Sequence, residues 1–219
     1  MKKDLTEIVF IIDRSGSMSG LEKDTIGGFN SFVERQKKQP GEANITTILF
    51  DDKLEILHQR ENVHLVEKMN ENQYYVRGCT ALLDAIGYAI NKTIDIQKKL
   101  PYHQKADKVL FVITTDGYEN ASKEYNYSII HKMINYQKER YNWEFLFLGA
   151  NIDAAKEAHK LGIHASRAVK YYHDESGVEA SYDAAGDFAV QFRQSCKVKQ
   201  EDESWKRKVV NNFKKKRYY

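Results

Sequence analysis

Cysteine, proline and long apolar runs are all scarce in this chain, and each scarcity removes a class of protein. The two cysteines, Cys79 and Cys196, form neither a CxxC pair nor a dense framework. Neither a zinc ribbon nor a disulfide scaffold is therefore suggested, and reduced thiols are the expectation. No run of 18 apolar residues exists, and the charged segment 1–6 leads straight into an apolar strand rather than a signal-peptide core. Neither a membrane span nor a leader is expected, which places the mature protein in the cytoplasm. The only prolines, Pro40 and Pro101, fall at breaks between elements, and there is no Pro-rich linker, internal repeat or low-complexity tract.

Familiar enzyme signatures are missing as well. There is no G-x-x-x-x-G-K-[ST], and 16–20, GSMSG, lacks the G-x-G-x-x-G spacing of a nucleotide loop. The same stretch is not G-x-S-x-G, because Met18 stands in the nucleophile position. A phosphatase of the haloacid dehalogenase type would want a second acid two residues after Asp13, where Ser15 stands instead. The seven histidines include no H-E-x-x-H, and His131, His159 and His173 are expected on wet helix or loop surface.

What is present is a set of buried-strand signals. The run 8–12, IVFII, is too short for a helix with its own core face and too continuous for a strand with one wet face, so it predicts a strand covered on both sides. KVLFVIT at 108–114 and WEFLFL at 143–148 repeat the signal. Between them, helical spacing predicts helices over 21–38 (Ile26, Phe29, Phe32, Val33), from Leu82 to about Lys99 (Leu83, Ile86, Ile90), over 127–140 (Ile130, Met133, Ile134 and Tyr136 inward or near it) and over 154–161, stopped by Gly162. A last helix of the domain is expected over 176–198, with Ala180, Ala184, Phe188 and Phe192 inward. Residues 44–50 and 53–58 read as a hairpin at one sheet edge, turning at Asp51-Asp52, whose acids are expected as turn formers. A short element is expected over 63–69 and a final strand over 165–169. Strands alternating with helices give an α/β fold: a doubly wound, mostly parallel central sheet with one antiparallel edge strand and helices on both faces.

The net charge of +3 is unevenly spread. Residues 197–219 carry nine Lys or Arg against Glu201, Asp202 and Glu203, so the body is mildly acidic and the tail basic. A boundary is expected near Lys197, dividing a domain over 1–196 from a tail over 197–219. Trp205, Val209 and Phe213 recur every four residues there, which predicts an amphipathic helix. Such a helix either docks its apolar stripe on the domain or offers its basic cluster to nucleic acid.

Chemistry gathers just past the buried strands, at the sheet edge where open parallel sheets bind ligands. Asp13, Ser15 and Ser17 follow the first strand, Thr80 precedes a helix, and Asp116 follows the strand over 108–114. Their oxygens are hard donors with no imidazole or thiolate among them, which suits magnesium or manganese. Two carboxylates only balance the formal charge of a divalent ion, and where they act partly through water the ion stays electrophilic enough to take an acidic ligand from outside. Each piece also has a plainer reading, with Ser15, Ser17, Ser19 and Thr80 as turn and N-cap residues and Asp116 in an ordinary turn.

Asp13-Arg14-Ser15-Gly16-Ser17, Gly78-Cys79-Thr80-Ala81-Leu82 and Thr115-Asp116-Gly117 together resemble the von Willebrand factor A domain and its metal-ion-dependent adhesion site, D-x-S-x-S with a distant Thr and a later Asp. The resemblance runs in order from Glu7 to Cys196, with Cys79 standing where the family often has Gly. It implies that Ser15, Ser17 and Thr80 contact the metal directly, with Asp13 and Asp116 acting directly or through water. It also implies a protein partner presenting Asp or Glu, in an assembly or adaptor role often tied to ATPase machines. Binding without turnover is expected, since no general base can be named beside the site; a hydrolase using the same metal is the alternative.

Overall fold

The computed structural model of the chain describes residues 4–195 and 198–216. Among these, six strands form one sheet: β1 (Leu5–Asp13), β2 (Glu42–Phe50), β3 (Leu54–Asn62), β4 (Lys108–Thr115), β5 (Glu144–Ala150) and β6 (Ala168–Tyr171). Their spatial order is β3-β2-β1-β4-β5-β6. Every pairing is parallel except that of β2 with β3, which makes β3 the antiparallel edge.

Every residue of β1 is buried, because its alternate side chains serve two separate cores. Ile8, Phe10 and Ile12 point to the face covered by α1 (Glu22–Lys37) and α5 (Glu175–Gln194). Val9 and Ile11 point to the other, covered by α2 (Leu82–Lys99), α3 (Tyr127–Tyr141) and α4 (Ala154–Lys160). Full burial of each large apolar side chain contributes about 1.5–3 kcal/mol, so these runs fix both helix layers at once. The chain leaves β1 for β2 and β3, returns to β4 beside β1, and then moves outward to β5 and β6. Connections after β1 and β4 thus diverge, opening a crevice at the carboxyl end of the two central strands.

Several elements differ from the sequence reading. No regular element forms over 63–69; Val63, Val66 and Met69 are buried as an irregular strap. Asn30 of α1 bonds both backbone groups of Met69, at 2.8 and 2.9 Å, and so supplies the pairing that a strand would need. The last strand begins at Ala168, because 165–167 form a 3-10 turn in which the His164 side chain accepts from the Ser166 amide. Tyr136 is exposed on α3 rather than turned inward. Gly162 does adopt the left-handed conformation, φ 84°, that stops α4. The boundary expected near Lys197, and Arg217 of the basic cluster, lie outside the described residues.

The tail forms a 3-10 turn followed by α6 (Arg207–Lys216), which packs on α5 and β6. Trp205 and Val209 are buried in the α1/α5 core, and Phe213 packs against it. The Trp205 indole N–H donates to the Ser166 carbonyl at 3.2 Å, and its ring meets Phe188 edge-on at 5.6 Å. Lys208 pairs with Asp183 of α5 at 2.8 Å and Lys206 donates to the Ala165 carbonyl at 2.7 Å, so part of the basic cluster is engaged with the domain. Trp205→Ala is expected to lower unfolding free energy by about 3–5 kcal/mol, as for other buried aromatics cut to Ala. Denaturant unfolding with unchanged stability would show that the tail is not part of the folded unit.

Candidate metal centre

Three loops meet at the crevice, and backbone bonds tie each to the next. Where β1 runs out, the Asp13 carbonyl accepts from the Tyr74 hydroxyl at 2.6 Å, and the Arg14 amide donates to the Phe50 carbonyl at 2.8 Å. A 3-10 turn, Gly16–Met18, then presents Ser15 and Ser17. Amides of Arg77 and Gly16 bond the carbonyls of Arg14 and Gly78, joining the second loop to the first. Gly78 is left-handed, φ 68°, and a Cβ there would meet the Asp52 carboxylate, so any other residue would carry backbone strain and displace Asp52. Asn120 completes the triangle: its side chain accepts from the Thr80 amide at 2.9 Å and its own amide donates to the Thr80 carbonyl at 3.0 Å.

All five residues singled out in the sequence come together there. The Thr80 hydroxyl donates to Ser15 Oγ at 3.0 Å, Ser15 Oγ lies 3.0 Å from Ser17 Oγ, and Ser17 donates to Asp116 Oδ1 at 2.5 Å. Asp13 stands behind them, one oxygen accepting from the Ser15 amide at 2.7 Å and the other from the Thr115 hydroxyl at 2.6 Å. The capping readings do not hold. Leu21 and Ala81 occupy the N-cap positions of α1 and α2 without a side-chain bond, and Thr80 gives its hydroxyl to Ser15. Glu119 and Ser122 cap α2 instead, through the amides of Leu83 and Asp84.

Electrostatics separate this cluster from its neighbour. Burial pushes Asp13 up to about 6, against which hydrogen bonds from Thr115 and Ser15 pull down. Burial also raises Asp116, opposed by the Ser17 bond and by His173. No Lys or Arg forms an ion pair with either carboxylate among the described residues. The nearby cations are committed elsewhere: buried Arg14 pairs with Asp51 at 2.9 Å and Glu55 at 2.6 Å, and Arg77 with Asp51 at 2.6 Å. Burial works to raise Asp51 too, but Arg77, the Lys53 amide and Arg14 outweigh it and hold the carboxyl low. Asp51 thus shapes the hairpin turn as expected and also anchors two loops of the site.

Sequence reasoning missed Arg14, Asp51, Arg77, Thr115 and His173. Position after a buried strand was a usable signal for Thr115 and Asp51, while nothing local marks His173. Against the expectation of wet surface, its Nδ1 lies 2.9 Å from Asp116 Oδ2 and is shielded from solvent. Cys79 is exposed and free.

The donor set fits a divalent cation. Two ligands at right angles, each about 2.1 Å from one ion, stand about 3.0 Å apart, which is the spacing of the Thr80–Ser15 and Ser15–Ser17 oxygens. Gly117 keeps room beside them: a Cβ there would sit 3.0 Å from Ser17 Oγ and 3.1 Å from Thr80 Oγ1.

The chain has the von Willebrand factor A fold. The vWF domain of the type V pili tip protein Mfa5 from Porphyromonas gingivalis superposes with a TM-score of 0.62 at 11% identity, over 89% of this chain and 98% of that one. Proximal thread matrix protein 1 from the mussel byssus, with a zinc-occupied MIDAS motif, gives 0.58 at 13%, over 87% of this chain and 47% of its own. Manganese-loaded TRAP from Plasmodium vivax gives 0.57 at 16%, over 82% and 72%. This chain spans about half the length of the mussel protein. No family profile and no curated protein sequence matches it.

Two outcomes follow from the site's charge and space. Between the ordinary 3.8 and about 6 the folded chain keeps a proton on Asp13 that the unfolded chain has lost, so metal-free stability should fall as pH rises through that window. Thermal melts in chelator from about pH 4 to about pH 7 measure this; stability that rises across the window instead would contradict the burial of an unpaired carboxylate. Gly117→Ala should leave the fold intact by circular dichroism and weaken cation binding roughly tenfold or more, in the range seen when groups around a metal are altered. Unchanged cation affinity would show that this space is not the ion's.

Proposed function

We propose that this chain is a metal-dependent protein-binding module that works without turnover. The carrying observation is the linked set of Thr80, Ser15, Ser17 and Asp116 oxygens at the crevice, with no Lys or Arg paired to the acid among the described residues. In this reading Ser15, Ser17 and Thr80 hold magnesium or manganese, while Asp13 and Asp116 supply negative charge directly or through water. The ion, when bound, supplies a Lewis-acidic position for an outside carboxylate. The chain's own residues do the rest. Asp13 fixes the Ser15 amide, Thr115 fixes Asp13, and the Arg14–Asp51–Arg77 network holds the first two loops at one spacing.

A protein partner presenting Asp or Glu suits the surroundings. Tyr75 and Tyr118 are exposed on the loops that form the site, and Arg77 is partly exposed beside Tyr75. Aromatic and Arg side chains of this kind anchor interfaces. The zinc and manganese carried by the mussel and Plasmodium proteins support a cation at this place in the fold. An acidic group on an assembly component is the proposed occupant of the last coordination position.

Calorimetry should find one magnesium or manganese site, lost in Ser15→Ala/Ser17→Ala. Thr80→Ala and Asp116→Ala should each weaken capture of a Glu-containing partner while leaving circular dichroism unchanged. Capture that is indifferent to chelator and to both substitutions would place the binding face elsewhere.

A further inference from the structure

Tyr136, exposed on α3 against expectation, belongs to a row of aromatic rings that runs from the core to the surface. Phe111 of β4 stacks on Trp143 with centroids 5.5 Å apart, Tyr141 lies 6.5 Å beyond Trp143, and Tyr136 meets Tyr141 edge-on at 6.1 Å. Trp143 is buried, whereas Tyr136 and Tyr141 are 57% and 54% exposed. Rings left in water bury little apolar surface and so contribute little to the fold.

These rings border a cavity of about 390 Å³, to which Ile94 and Val109 add apolar wall. It lies between the last turns of α2 and α3, beside the amino ends of β4 and β5, so the length of the sheet separates it from Ser15 and Asp116. Its volume falls in the range of small-molecule sites, about 300–1,000 Å³.

Two amides of the lining have unmet bonds. Gln137 is 4% exposed, and its Oε1 has no hydrogen-bond partner among the described residues. Gln97 Oε1 accepts from the Ala106 amide at 3.0 Å, which leaves a shielded Nε2 with no acceptor among the described residues. Buried polar groups without partners are costly. One ligand edge that sets an acceptor beside a donor would complete both amides, and the edges of nucleobases carry such pairs. Charge points the same way. Lys98 and Lys105 also stand in the lining, and no ion pair engages either of them among the described residues. Asp107, the acid of the lining, accepts from the Leu5 amide at 3.4 Å.

We propose that this cavity is a binding site for a mononucleotide, whose base stacks on the Tyr141 and Trp143 rings with its edge toward Gln97 and Gln137, and whose phosphate pairs with Lys98 and Lys105. Stacking on aromatic rings serves every base, so the ligand class is nucleotides as a whole. The site is separate from the metal centre and needs no cation.

Nuclear magnetic resonance of the full chain tests this, because the chain has two tryptophans and Trp143 is the one in the cavity wall. The monophosphates of adenosine, guanosine, cytidine and uridine are each titrated, with Trp205→Phe to assign the two indole N–H signals. The Trp143 signal is expected to move to saturation with at least one of them while the Trp205 signal stays in place. Tyr141→Ala, at an exposed position, should weaken binding roughly fivefold or more, the low end of what a stacking ring contributes. Lys105→Gln should weaken it and flatten its dependence on salt. Chelator and Ser15→Ala/Ser17→Ala should change nothing, which separates this site from the cation site. No movement of the Trp143 signal with any of the nucleotides at millimolar concentration would overturn the proposal. So would equal affinity in Tyr141→Ala, or an equal response to inorganic phosphate alone. A response to single-stranded oligonucleotides without one to mononucleotides would overturn it too, since the face would then bind a strand.

Discussion

Two carboxylates buried at the end of the central strands, without a lysine or arginine paired to either among the described residues, set the terms for the rest of this structure. A buried charge is costly unless paired and hydrogen-bonded. The guanidinium of Arg14, next in the chain to Asp13, is paired with Asp51 and Glu55. Asp13 and Asp116 are left with hydroxyls, amides and one imidazole, which satisfy lone pairs but leave negative charge in place. The divergence of the chain at β1 and β4 brings both acids to one edge of the sheet, and a divalent cation would answer the deficit that the fold creates.

The scaffold explains why such an arrangement holds its shape. β1 and β4 are packed on both faces, so the ends of these strands cannot drift without disturbing two cores. The loops add their own bracing, with Arg77 and Gly78 bonded to the first loop and Asn120 bonded to Thr80. Even the tail contributes, because Phe213 and Asn212 of α6 secure the turn that carries His173. Function is placed on loops, but each loop is tied to something rigid.

Much of this was legible in the sequence, and the reasons are local. Unbroken apolar runs at 8–12, 108–114 and 143–148 mark strands that need cover on both faces, and those strands order the parallel sheet with its antiparallel edge. The five oxygen residues were legible because each follows or precedes a recognisable element. Residues that act across the fold were harder to see. Asp51 reads as a turn acid, and only the approach of Arg14 and Arg77 shows its second role. His173 lies 57 positions from Asp116 in the chain, and no periodicity connects them. The strap over 63–69 has a helical spacing of buried residues, but Asn30 pairs its backbone instead, a partner no local window contains.

The central claim is that the hydroxyls of Ser15, Ser17 and Thr80, with Asp116, surround a cation. Anomalous diffraction at the manganese edge from crystals grown with manganese tests it most directly. A single strong peak in contact with the Ser15, Ser17 and Thr80 hydroxyl oxygens is the predicted result. An empty crevice with those hydroxyls still bonded to one another, or a peak bound elsewhere on the chain, would contradict the account.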